Sequence, residues 1–132
     1  MISTVFVKFG AALCREGSGA VLSAHVYERG VSDPCKVKTI KTLEYEYPHD
    51  DLTADQALYA ALLEGIAMAR RRADDVVFIT EDRALWSRLK HGAPVPKHLR
   101  AMHRMTMLSL GAADRDDGVL CSTWKVWWDE AA

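Results

Sequence analysis

The chain has 132 residues, of which 49% are hydrophobic and 27% charged, with a formal net charge of −1. That length and mix fit one domain over residues 1–132 with its own core, and exclude a disordered or low-complexity chain. The balanced total charge selects neither nucleic acid nor membrane, so the distribution of charge along the chain carries the information. Cys14, Cys35 and Cys121 are widely spaced with no CxxC pair, which points to reduced thiols rather than a disulfide framework or zinc site. The amino terminus, MISTVFVKFG, lacks a basic stretch followed by a long apolar core, and no apolar run reaches the roughly 18 residues that span a bilayer. A cytoplasmic protein without membrane contact is expected.

Ser3 to Phe9 is rich in β-branched and aromatic residues and reads as a strand. After a glycine-bearing turn at Arg15–Gly19, Ala20 to Tyr27 reads as a second strand. Lys36 to Tyr47 alternates apolar residues with Lys and Glu, as suits a strand with one wet face at a sheet edge. Thr53-Ala54-Asp55-Gln56 is a capping box, and the helix it opens runs to about Arg72. The helix is apolar nearly all round, so it packs on more than one side. Gly65 costs it about 1 kcal/mol of helix propensity relative to Ala, which implies a close approach by another element.

Asp75 to Ile79 is a short apolar run, the mark of a buried central strand. Thr80 is placed to cap a helix through Leu89 or Lys90, and Gly92-Ala93-Pro94-Val95-Pro96 breaks the chain. Lys97 to Leu110 suits a helix, with Met105 to Leu110 open to a strand instead. Val119 to Trp128 reads as the last strand after a loop at Gly111–Gly118. A strand, a crossover helix and another strand require a parallel neighbour, so the sheet is mixed.

Three patterns resemble the ribonuclease H family, in particular its single-domain bacterial type. Phe9-Gly10-Ala11-Ala12 is similar to that family's Asp-Gly-Ala-Ser. Asp55-Gln56-Ala57-Leu58-Tyr59 is similar to Asn-Gln-Ala-Glu-Tyr, and Thr80-Glu81-Asp82-Arg83 to Ser-Asp-Ser-Gln. The resemblance covers residues 3 to about 92 by motif and the remainder by element order. It implies a mixed five-stranded sheet, three antiparallel strands followed by helix-strand-helix-strand, with helices packed on it. It also implies a carboxylate cluster holding two divalent ions for phosphodiester cleavage.

Carried over residue by residue, the first acid falls at Phe9, or at Lys8 after a slip of one position. The helix acid falls at Leu58 and the central-strand acid at Glu81, with Asp82 beside it. The last acid has no counterpart unless Asp129 or Glu130 folds back. Phe9 and Leu58 would fill the metal pocket with apolar side chains, leaving a degenerate active site that needs no cofactor. The competing reading relocates the acids to Asp55, Glu81 and Asp82, with Asp50 and Asp51 nearby. That arrangement would be a nuclease dependent on Mg2+ or Mn2+ that cleaves RNA in RNA/DNA hybrids.

From Arg83 to Ala113 there are six cations and no acid: Arg83, Arg88, Lys90, Lys97, Arg100 and Arg104. Such a stretch suits phosphate contacts driven by counterion release. His91, His98 and His103 have no Cys or carboxylate at ligand spacing and read as surface residues. The methionines Met102, Met105 and Met107 read as packing, and Trp124, Trp127 and Trp128 as core or a stacking surface. The resulting expectation is an inactive ribonuclease H-like domain that binds nucleic acid, a hybrid or other duplex, or a protein partner. A homodimer built on the edge strand and tryptophans is the third reading.

Overall fold

A computed structural model describes residues 4–14, 19–29, 36–48, 52–69, 75–113 and 123–128. Among these residues, five strands form one sheet in the order β3-β2-β1-β4-β5. They are β1 (Thr4–Leu13), β2 (Gly19–Arg29), β3 (Val37–Pro48), β4 (Asp75–Thr80) and β5 (Thr123–Trp128). The pairs β1–β2 and β2–β3 are antiparallel, whereas β1–β4 and β4–β5 are parallel. The expected mixed sheet is therefore present, with β3 at its edge.

Alternation in β1 sets the two faces. Val5, Val7 and Phe9 turn into the main core, while Phe6 joins a smaller cluster with Tyr27, Val77 and Ile79. Helix α1 (Ala54–Ala69) lies on β1 and β2 and also meets α3 (Arg100–Ala113). Contact on two sides explains why it is apolar all round. Its capping box is complete: Gln56 N–H donates to Thr53 Oγ1 at 3.2 Å, and Thr53 N–H to Gln56 Oε1 at 3.0 Å.

Ala57, Ala61 and Gly65 recur every fourth residue of α1 and are buried, which lets the helix sit close to the sheet. A Cβ on Gly65 would stand 2.9 Å from Val7 Cγ1, a stiff β-branched side chain with no exposed surface. We expect Gly65→Ala to destabilise the protein by about 1 kcal/mol, because overpacking outweighs the gain in helix propensity. A urea melt checks this, and a higher midpoint for the variant would refute it.

The second helix differs from the sequence reading. Thr80 ends β4 with no exposure, and α2 runs over Arg83–His91. Its cap is Asp82, whose carboxylate accepts from Leu85 N–H at 2.8 Å, while Thr80 Oγ1 accepts from Asp82 N–H at 3.0 Å. Gly92 closes α2 in the left-handed region at φ 65°. A 3₁₀ turn at Lys97–Leu99 then leads into α3, so Met105 to Leu110 is helical. The expectations for Arg70 to Arg72, Asp50, Asp51, Cys35, Cys121, Asp129 and Glu130 fall outside the described residues. Those for Trp124, Trp127 and Trp128 concern side chains that are likewise not described.

Candidate functional site

Parallel pairing ends β4 beside the middle of β1, with Ile79 opposite Lys8, next to the first turn of α1. An open cleft of about 730 Å³ lies there. Lys8 to Ala11 of β1, Ala54, Asp55 and Leu58 of α1, and Glu81 and Asp82 after β4 form its centre. Ser23 to His25 of β2 and Thr42 to Glu44 of β3 complete the wall. All three candidate acids, Asp55, Glu81 and Asp82, therefore reach one cleft. Glu64 does not line it.

Phe9 is 4% exposed and belongs to the main core, and Leu58 packs against that core from the cleft side. Lys8 alternates onto the other face of β1, where its ammonium stands 3.7 Å from Glu81 Oε1. Both partners are about half exposed, so the pair adds little to stability. Its consequence lies in the site, because an ammonium stands beside the acid that the resemblance assigns to metal. Asp82 is committed to the α2 cap. Among the described residues, no three His, Cys, Asp or Glu side chains converge as a metal-binding group. A two-ion centre needs clustered hard oxygen ligands, and the donors described here do not fit one.

The cleft nonetheless stays acidic. Among the described residues, Glu44, Asp55, Glu81 and Asp82 set four carboxylates against the one ammonium of Lys8. His25, which the sequence reading did not single out, lines it as well. Its Nε2 is 2.9 Å from Thr39 Oγ1, and its ring stacks at a tilt on Tyr27. Only the β2–β3 register brings Thr39 to it, so no local motif pointed there.

Five of the six cations proposed for nucleic acid stand exposed: Arg83 and Lys90 on α2, Lys97 on the 3₁₀ turn, and Arg100 and Arg104 on α3. Lys90 Nζ lies 5.4 Å from the centre of the Trp86 ring. Arg88 is different. It is half-buried and within hydrogen-bonding reach of the Tyr59 hydroxyl.

Tyr59 is 1% exposed, and its hydroxyl lies 2.9 Å from His103 Nδ1. His103 is thus half-buried at a junction of three helices rather than on the surface, a correction to the sequence reading. Burial pushes the Tyr59 hydroxyl pKa up, partly offset by Arg88. Burial, and then Arg88, pull the His103 pKa down. The folded protein therefore binds fewer protons at His103 than the unfolded chain does. Its contribution to stability is present above pH about 6.5 and is lost as pH falls through the folded value. We expect the melting temperature to fall with acidification below that pH, and to fall less steeply in His103→Gln. Equal slopes for the two proteins would refute this assignment.

No family model and no curated protein matches the chain. Solved structures do. Ribonuclease H1 from the halophilic archaeon Halobacterium salinarum superposes with a TM-score of 0.75 at 14% identity, covering 98% of this chain and 87% of that one. LC11-RNase H1 in complex with an RNA/DNA hybrid gives 0.75 at 8% identity, over 96% and 86%. The amino-terminal ribonuclease H domain of a Mycobacterium tuberculosis protein gives 0.72 at 11%, over 96% and 86%. At these identities the likeness speaks for architecture alone, and it agrees with the mixed sheet and its crossover helix. The chain has the ribonuclease H-like fold.

Proposed function

We propose that the protein is a single-domain module, residues 1–132, that grips the backbone of an RNA/DNA hybrid or similar duplex without hydrolysing it. The observation that carries the binding is the run from Arg83 to Ala113, which holds no acid and sets five exposed cations on α2, the 3₁₀ turn and α3. The complex of LC11-RNase H1 with an RNA/DNA hybrid supports the ligand class. Phosphate contacts of this kind release counterions and read no sequence.

The lack of hydrolysis rests on the cleft. Phe9 and Leu58 offer no ligand, Lys8 pairs with Glu81, and Asp82 caps α2. Four carboxylates against one ammonium repel a phosphodiester that no metal has neutralised. Backbone held by the basic flank is thus kept out of the cleft. No cofactor is required, and the cytoplasm, where nucleic acid meets reduced thiols, is the compartment that fits. Among the described residues, no helix is long and apolar enough to cross a membrane.

Fluorescence anisotropy with a labelled hybrid tests the binding. Affinity should be the same in EDTA and in Mg2+ apart from ionic strength. Its logarithm should fall with log salt at a slope of about −4 for five phosphate contacts. Binding that requires the divalent ion, or no binding at low salt, would overturn the proposal.

A further inference from the structure

Helix α3 carries an apolar stripe that none of the described residues covers. Met105 and Leu108 are 56% and 64% exposed. With exposed Ala101 and Gly111 they recur every third or fourth residue along one side of the helix. The inner side holds Thr106 and Leu110, both fully buried, so α3 is already anchored and the stripe is surplus to its own core. A Cβ on Gly111 would meet nothing within 4 Å, which leaves room for another backbone to come close.

The charges of α3 run against its macrodipole. Arg100 and Arg104 are exposed in its first half, just after Lys97, with no acid in the first turn and no base in the last. Cations at a helix amino terminus meet the positive end of the dipole, and a carboxyl terminus without cations leaves its carbonyls uncompensated. One arrangement relieves both faults and covers the stripe. A second copy of α3, packed antiparallel across a twofold axis, lays cations against the partner's carbonyl end and Met105 against Leu108. The two ends of the helix are complementary to each other, so the surface is complementary to itself, as a twofold interface requires. A parallel copy would set cation against cation.

We propose that α3 is a homodimer interface, formed by antiparallel pairing of the stripe Ala101, Met105 and Leu108 between two copies of this chain. A single helix pair falls at the lower end of stable interface areas, so the dimer is a weak one with dissociation in the micromolar range.

Sedimentation velocity on the purified full chain, from about one micromolar to a few hundred micromolar, tests this. Wild type should pass from monomer to dimer across that range, with the midpoint rising in salt. Leu108→Glu should stay monomeric throughout, with an unchanged thermal melt because the side chain is already in water. Val37→Glu, at an exposed site on the edge strand β3, should dimerise like wild type. A wild type that stays monomeric, a dimer that survives Leu108→Glu, or a dimer lost only in Val37→Glu would each overturn the proposal. Leu108→Gln, which adds no charge beside Arg104, should bind hybrid at nanomolar protein as wild type does, which separates this surface from the binding one.

Discussion

The triple variant Lys97→Glu, Arg100→Glu and Arg104→Glu is expected to bind an RNA/DNA hybrid about a thousandfold more weakly than wild type. Each charged hydrogen bond to phosphate contributes on the order of 1.5 kcal/mol, so three lost contacts account for that factor before any repulsion is counted. The salt slope should shrink by roughly 3 in the same variant. All three side chains are exposed, and a glutamate at position 100 suits the amino end of α3 better than the cation it replaces. The variant should therefore stay folded and melt no lower than wild type. Affinity within a few-fold of wild type would remove the basic flank from the binding surface.

Phe9→Asp should be the most damaging single change at the cleft. Phe9 is 4% exposed and packs with Val5, Val7 and α1 in the main core. Truncating a buried phenylalanine costs about 3–5 kcal/mol, and the new carboxylate would join Glu44, Asp55, Glu81 and Asp82 around the same cleft. For a chain of this size the loss corresponds to about 15 °C in melting temperature. Wild type, by contrast, should show no change in melting temperature on adding Mg2+ or Mn2+, since a bound ion would stabilise the native state by mass action. A Phe9→Asp variant as stable as wild type would mean that Phe9 does not serve the core. A wild-type melt raised by millimolar divalent ion would mean that the cleft still holds metal.

These expectations rest on features of unequal visibility in the sequence. The capping box at Thr53 and Gln56 was readable because both of its hydrogen bonds lie within four residues. The apolar alternation in β1 and the short run of β4 were readable for the same local reason. Gly65 announced a close approach but not the partner, since Val7 is nearly sixty positions away and meets it only through tertiary packing. The start of α2 was misplaced because Thr80 and Asp82 are both good caps. What decides between them is how far β4 stays paired, and Thr80 is held in the ladder opposite Trp128.

The cleft shows the same division. Asp55, Glu81 and Asp82 could be proposed from motif positions, and they do meet. The Lys8–Glu81 pair could not be, because it depends on the parallel register of β1 and β4. His103 was misread as a surface residue because the helical period of α3 gives no sign that Tyr59 of α1 lies opposite. Residues whose role depends on two distant elements meeting were the ones hidden from the sequence.

Binding and the absence of hydrolysis can both be read in one sample. The most direct test is to incubate end-labelled RNA/DNA hybrid with excess protein in Mg2+ or Mn2+, and to score bound and cleaved strands in the same sample. The expected result is a retained, full-length RNA strand in either metal and in EDTA alike. Metal-dependent cleavage of the RNA strand that disappears in Glu81→Gln would contradict it.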